Sequence, residues 1–389
     1  MKVKLRDFVE LVKTRVDIKD ADVANYISTD NMLPNRGGVE FGNSKLPTTK
    51  TVNNFIKGDV LISNIRPYFK KIWFADRSGT RSSDVLCFRA TNEKLSKEYL
   101  YCVLQSDSFF NYVMSTSKGT KMPRGDKEAI LDYEFELVSK EKQYDKYHSI
   151  LLLERKIYLN NRINDNLLGQ LKVISDNYFS YFTFNKGIVP DDWEYKKLTD
   201  VAEITTGYSY TGKELVDSNI GMATIKNFTR NGGFRSEGYK PIVPSKNVKK
   251  DKYVSLFDML VAHTDLTQNA DIIGNAEPVL TTNSYEKTIY SMDLVKVVPK
   301  QDKISKWLLD LVLMSSRVKF HCLSYVNGTT VLHLSKKALR EFEIPLPKDY
   351  KELENIIDLT KNYLTTVSKN IQENSKLNEI KNQLLNKYF

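Results

Sequence analysis

A period of about 200 residues constrains this chain more than any single motif does. The segment NYISTDNMLPNRGGV, Asn25 to Val39, returns in worn form as IGMATIKNFTRNGGF, Ile220 to Phe234. With Gly37-Gly38 set on Gly232-Gly233, a shift of 195, Ile27 falls on Met222, Ser28 on Ala223 and Thr29 on Thr224. KLRDFVE at Lys4 reappears as KLTDVAE at Lys197, shifted by 193, and KGDVLISNI at Lys57 matches LFDMLVAHT at Leu256, shifted by 199. KGT at Lys118 matches NGT at Asn327, and ILDYEFEL at Ile130 matches LREFEIPL at Leu339, both shifted by 209. NYF at Asn177 matches KYF at Lys387, shifted by 210. Six weak matches in one order, with a shift that only rises, describe a tandem duplication whose second copy carries small insertions. Such a repeat decides architecture before residue-level chemistry does.

Each copy has mixed short strands, turns and short helices followed by one long helical segment. In the first segment Ile150, Leu153, Ile157, Asn160, Asn164, Leu167, Leu171, Ile174 and Tyr178 alternate by three and four, the spacing of a coiled-coil seam. Some 40 helical residues reach on the order of 60 Å, longer than a globular domain needs. In the second segment Leu353, Ile357, Leu364, Val367, Ile371, Leu377, Ile380, Leu384 and Tyr388 follow compatible spacings, with a slip near Asn374. Two equivalent rods pair most simply antiparallel, although each could instead pack on its own domain. The expectation is an α+β chain: two similar mixed α/β lobes in tandem, separated and held by an antiparallel coiled coil, with internal pseudo-two-fold symmetry. The lobes occupy residues 1–139 and 185–349, and the helices 140–184 and 350–389. Asn at two seam positions fixes register at a cost in stability.

At 389 residues, with 41% hydrophobic and 27% charged residues, the chain can bury a sizeable core. The 58 Lys+Arg against 48 Asp+Glu leave a net charge of +10, which favours polyanionic partners, although a Lys-rich solvated surface accounts for it equally simply. No apolar run is long enough to span a bilayer, and MKVKLRDFVELVKTR carries charges where a signal peptide needs its apolar core, so a cytoplasmic protein is expected. Cys87, Cys102 and Cys322 are scattered and read as reduced core thiols.

Catalytic equipment is missing. GYSYTGKE at Gly207 fits G-x-x-x-x-G-K, but Glu214 stands where a P-loop needs a Ser or Thr hydroxyl for magnesium, and a carboxylate there repels phosphate. His148, His263, His321 and His333 form no H-E-x-x-H pair, so no metal site is expected. PDDWEYK at Pro190 crowds its carboxylates as a loop does, and Glu154-Arg155-Lys156 reads as a solvated helix face. No N-P-P-Y type loop for a methyltransferase is present: NIRPYF at Asn64 has the wrong residue before its single Pro.

Two regions are equipped for nucleic acid. SNIRPYFKKIWFADRSGTR interleaves Arg66, Lys70, Lys71, Arg77 and Arg81 with Tyr68, Phe69 and Trp73, beside Asn64, which could pair with adenine. Its positional counterpart AHTDLTQNADIIGNA offers His263, Thr264, Gln268 and Asn269. SKGTKMPRGDK, with Lys118 and Lys121, and VNGTTVLHLSKK, with Thr329 and Thr330, form a second matched pair of polar turns. Different polar side chains at equivalent places suit two readers of different sequences, and an ordinary amphipathic strand and loop fits each individual residue as well.

The ordered set of YISTDNMLPNRGG, PDDWEYKKLTDVAEITTG, KGDVLISNIRP, NGTT followed by LREFEIPLP, and two long helices resembles the specificity subunit of Type I restriction-modification systems over essentially the whole chain. The start departs in one respect, lacking the P-x-x-W found at Pro190 to Trp193. The resemblance implies two target recognition domains, each reading half of a split duplex DNA site. It also implies that the paired helices act as spacer and dock two methyltransferase subunits, with restriction subunits completing the nuclease and no membrane contact. Ile150, Leu153, Ile157, Leu167, Leu171, Ile174, Leu364, Val367, Ile371 and Leu384 would carry helix pairing and docking. The chain itself would have no enzymatic activity and no cofactor, with S-adenosylmethionine and ATP with magnesium held by the partners. Type IIB and IIG systems use similar subunits. The competing expectation is a coiled-coil scaffold without sequence-specific DNA recognition.

Overall fold

The structure, a computed structural model, describes residues 1–389 apart from Asn43, Asn231 and Gln268. The chain divides into two compact units, Met1–Ile157 with Lys376–Phe389, and Tyr158–Ser375.

In the first unit the strand Lys2–Lys4 pairs antiparallel with Glu134–Glu136, and a four-stranded antiparallel sheet runs in the order Val9–Leu11, Val85–Ala90, Val60–Ser63, Ile72–Phe74. A second sheet ends in a parallel pair, Tyr26–Ile27 on Gly79–Arg81. The helices Lys97–Gln105 and Asp107–Ser115 follow, each capped by a serine: Ser96 Oγ accepts from Tyr99 N and Ser106 Oγ from Phe109 N. These caps satisfy amides that a helix start leaves without partners. Between helices and sheet, Leu100, Phe88 and Phe109 are fully buried and Tyr99 and Phe110 nearly so. Each such side chain contributes roughly 1.5–3 kcal/mol by leaving water.

The second unit repeats the plan. Trp193–Lys197 pairs with Glu343–Pro347, and the four-stranded sheet runs Ala202–Thr206, Leu294–Pro299, Met259–Ala262, Ala276–Pro278. Ile220–Ala223 lies parallel to Lys287–Tyr290, and the helices are Lys306–Leu313 and Ser316–Leu323. The registers agree residue by residue. Val9 opposite Ala90 becomes Ala202 opposite Pro299, and Val60 opposite Phe88 becomes Met259 opposite Val297. Because a one-residue slip would turn every side chain to the other face, identical registers mean identical core faces. The repeated Gly-Gly turns the chain in both lobes: Gly38 has φ +83° in the first, and Gly232 and Gly233 have +85° and +118° in the second, values that side chains with a Cβ rarely adopt.

The long helices span Lys140–Phe179 and Glu354–Tyr388, the second preceded by a 3-10 turn at Tyr350–Leu353, and residues 180–184 lie beyond the first. Within each unit their segments pair antiparallel. In the second, Asn160 Nδ2 donates to Asn374 Oδ1 at 2.9 Å and to Glu373 Oε2 at 2.7 Å, Asn370 Nδ2 to Asn164 Oδ1 at 2.8 Å, and Tyr363 Oη to Gln170 Oε1 at 2.9 Å. Leu171, Leu364 and Val367 are buried there, with Leu167, Ile174 and Ile371 packed against them. In the first, Ile150 and Leu385 bury with Cys102, Leu384 packs beside them, and Leu153 and Ile157 are half-buried.

Two expectations about this seam are corrected. Asn374 is no slip, because it is a buried seam residue, and two and three turns on the seam continues through the buried Lys381 and Leu385 while Ile380 is exposed. Glu154 does not lie on a solvated face: it takes an ion pair from the buried Lys381 at 3.4 Å and a hydrogen bond from Tyr101 Oη at 3.3 Å. Burial raises its carboxyl above the ordinary range, with Lys381 and Tyr101 pulling the other way.

Candidate nucleic-acid interface

In the first lobe the chain leaves the buried strand Val60–Ser63 and turns through a 3-10 helix, Pro67–Phe69. The second candidate segment folds against this turn. Ile65 bridges Arg124, Arg124 bridges Lys118, and Arg66 N donates to Pro123 O at 2.8 Å. The second lobe makes the same junction in the same register. Thr264 pairs with His333, and His333 with Asn327, within a three-stranded ladder of Thr264–Asp265, Leu332–Leu334 and Val326–Asn327. The shifts of 199 and 209 carry Ile65 onto Thr264, Arg124 onto His333 and Lys118 onto Asn327. The fold thus joins, twice, two segments some 60 residues apart in sequence.

The first junction exposes Arg66, Tyr68, Phe69, Lys118, Lys121 and Arg124. Lys118 pairs with Asp126 at 2.5 Å, which raises its ammonium above the usual value, and Arg124 lies 3.3 Å from Asp84. The second junction exposes Asn269, Asn327, Thr329, Thr330 and His333, followed by Lys336 and Lys337. His263 is half-buried. Burial holds its imidazole below the ordinary histidine value, aided by His333 and Lys336 and opposed by Asp293, so it favours the neutral form. Gln268 lies outside the described residues.

Several sequence-selected residues serve the fold instead. Arg81 is 4% exposed and its guanidinium donates to the carbonyls of Val12 and Val85, because its strand position is that of the core residue Ile289 in the second lobe. Asn64 is buried behind Gly125, where an added Cβ would come within 2.8 Å of its Oδ1. Lys71 donates to Thr29 O at 2.6 Å and burial lowers its pKa, while Lys70 pairs with Asp107 at 2.7 Å. Thr264 is a buried ladder residue. Arg77 is exposed but pairs with Asp76 and lies 4.6 Å over the Phe41 ring. Arg124, Asn327 and His333 were passed over. Only pairing across the junction singles them out, and nothing local in the sequence does.

The G-x-x-x-x-G-K match is structural too. A Cβ on Gly207 would meet Ser291 O at 2.0 Å, so the first glycine admits a neighbouring strand. Glu214 accepts from Tyr208 Oη at 2.6 Å, Thr211 N at 2.5 Å and Ser245 N at 2.8 Å, bonds that hold its carboxyl well below the usual range. Among the described residues no group of three or more His, Cys, Asp or Glu side chains could hold a metal ion, and no helix is long and apolar enough to cross a membrane.

The sequence model for the Type I restriction modification DNA specificity domain matches the chain twice, over residues 1–168 and 190–382. The chain belongs to this family of Type I specificity subunits. A curated relative, the Type I restriction enzyme MjaVIII specificity subunit of Methanocaldococcus jannaschii, is 23% identical over 385 residues, covering 92% of this chain and 86% of the relative. The crystal structure of the Type I restriction-modification system S subunit from M. genitalium superposes with a TM-score of 0.54 at 13% identity, covering 100% of this chain and 96% of that one. That likeness extends the shared fold over both lobes and both helices. The matched junctions therefore occupy equivalent places in the two specificity domains, and the scaffold expectation without DNA recognition is not favoured.

Proposed function

We propose that this specificity subunit reads a bipartite, asymmetric duplex DNA site, one half through each lobe. It is non-catalytic and carries no cofactor. It docks two methyltransferase subunits along its paired helices, with restriction subunits joining the complete assembly. S-adenosylmethionine and ATP with magnesium belong to those partners. The observation that carries this reading is the pair of junctions: one backbone register, with Arg66, Lys118, Lys121 and Arg124 presented in one lobe and Asn327, Thr329, Thr330 and His333 in the other. A shared scaffold with divergent polar side chains is what reading two different half-sites requires.

The test is to purify the chain with its methyltransferase and select bound duplexes from a random pool at increasing salt. Two separated, dissimilar base clusters should be enriched, and exchanging residues 326–334 for those of another specificity subunit should alter one cluster only. Enrichment that vanishes as salt rises would leave a purely electrostatic binder. Removing one heptad from both long helices should shorten the tolerated spacer between the clusters.

A further inference from the structure

The 3-10 turn Pro67–Phe69 presents two large rings to solvent. Tyr68 is 47% and Phe69 37% exposed, with ring centroids 4.6 Å apart, while Pro67 beneath them is buried. Single exposed apolar residues are ordinary, but this pair is held by an unusual amount of backbone strain. Four non-glycine residues with left-handed backbone converge on the turn: Asn35 at φ 55°, Arg36 at 62°, and Arg66 and Lys70 at 50° each. Asn35 N donates to Phe69 O at 2.8 Å and Arg36 N to Lys70 O at 2.9 Å, so the Gly-Gly loop grips the turn from one side. Asp107 accepts from both Arg36 and Lys70, and Arg36 Nε also reaches Gln105 O at 2.7 Å. Arg66 N is held by Pro123 O from the neighbouring loop. A left-handed conformation is costly for such residues and persists only where surroundings over-determine it, a circumstance found mainly at functional sites.

The setting favours nucleic acid over protein as the occupant. Arg66, Lys121 and Arg124 are exposed on the two loops that meet here, together with the apolar Met122, and the adjacent carboxylates of Asp107, Asp126 and Asp84 are each already paired with a cation. Cations can neutralise phosphates, whereas rings cannot, so rings held rigidly among them are suited to base faces. The corresponding turn of the second lobe exposes one apolar residue, Leu266 at 71%, held by four hydrogen bonds to the Asp265 carboxylate from Thr267 N, Thr267 Oγ1, Ile272 N and Ile273 N.

We propose that Tyr68 and Phe69 form a rigid apolar wedge that inserts at one base step of the half-site bound by the first lobe, partly unstacking it. The wedge reads the deformability of that step, while Lys121 and Arg124 hold the flanking phosphates. This rests on the DNA-reading function proposed above, and the test separates the two.

The complex of the full chain with its methyltransferase is titrated with its selected duplex, carrying 2-aminopurine in turn at each position of both half-sites. Apart from the adenines that the methyltransferase itself extrudes, the wild-type complex should brighten the probe at one step of one half-site. The Tyr68→Ala/Phe69→Ala variant should lose that signal and roughly 10- to 100-fold in affinity. Tyr68→Leu/Phe69→Leu should keep part of both, because an aliphatic wedge also unstacks bases, and thermal unfolding of both variants checks that folding is retained. Selective binding with an unchanged probe at every position other than the extruded adenines overturns the wedge and leaves the DNA reading standing, as does a signal at the wedge step that survives in a folded alanine variant. If the wild-type complex shows no sequence-selective binding, the DNA reading falls and takes the wedge with it.

Discussion

Asp59 and Arg89 form a two-pronged ion pair, Nε to Oδ1 and Nη2 to Oδ2 both at 2.7 Å, with the Asp59 side chain 1% exposed. The same carboxylate accepts Ile56 N at 2.9 Å and contacts Cys87 Sγ at 3.3 Å. In the second lobe its counterpart Asp258 accepts Ser255 N at 2.9 Å but meets Lys296 at 3.6 Å. By strand register Lys296 stands where Cys87 does, so the basic partner has moved two residues along the strand, staying on one sheet face.

The two pairs should therefore differ in strength. Asp59→Ala removes both charge-assisted bonds of a guanidinium that then keeps only Glu10 at 3.6 Å, leaves the Ile56 amide without its acceptor, and should destabilise the first unit by about 2–4 kcal/mol. Asp258→Ala breaks a longer contact with a flexible ammonium and should cost about 1–2 kcal/mol. Urea denaturation of the two variants, monitored separately for each unit, measures the difference, and equal losses would contradict it.

Arg81 and the junction cations should separate cleanly in a binding assay. Arg81→Ala leaves the Val12 and Val85 carbonyls without their buried donor and should cost about 2–4 kcal/mol of stability, with the salt dependence of DNA binding unchanged. Lys121→Ala/Arg124→Ala should leave stability within about 0.5 kcal/mol and lower the slope of log affinity against log salt by about 2. Fluorescence anisotropy at several salt concentrations reads the slope.

The asparagine layer should trade stability for register. Replacing Asn160 and Asn374 together by leucine removes the buried amide pair and is expected to raise the melting temperature. It should also loosen alignment, so that cysteines introduced at Gln170 and Tyr363, whose side chains now share a 2.9 Å hydrogen bond, cross-link less completely than in the parent. An unchanged cross-linking yield would show that the apolar seam alone sets register.

Two buried carboxyls should make the second unit lose stability as pH rises from acid to neutral. Burial pushes Glu277 to about 7, opposed by the Gly233 amide and Lys172, and pushes Asp310 to about 7, opposed by Lys306. A carboxyl whose folded pKa lies above its unfolded value binds its proton more tightly in the native state. The stability it contributes is complete below the unfolded value near 4 and is lost as pH rises through about 7. Each should account for on the order of 3 kcal/mol across that interval. Denaturation midpoints followed from pH 4 to about 8 should fall for the parent, and Glu277→Gln with Asp310→Asn should flatten the profile.

The duplication, the two long helices and the polar seam positions Asn160 and Asn164 are legible in the sequence, because periodicity survives when individual residues do not. The family followed from the order of weak motifs, each of which alone is degenerate. The seam beyond Asn374 was not legible: a lysine at position 381 looks like surface until Glu154, itself bonded by Tyr101, is seen to pair with it.

Composition and spacing also nominated Arg81, Asn64 and Arg66 on equal terms, as polar residues near a turn. Tertiary structure buried the first two and exposed the third. Whether a polar side chain faces solvent depends on strand register and on which distant loop packs against it. Sequence alone determined the repeated architecture and the absence of a magnesium-binding hydroxyl at Glu214. Only the folded chain decided which cations remain outside, because burying a guanidinium is tolerable where two backbone carbonyls wait for it, as those of Val12 and Val85 do.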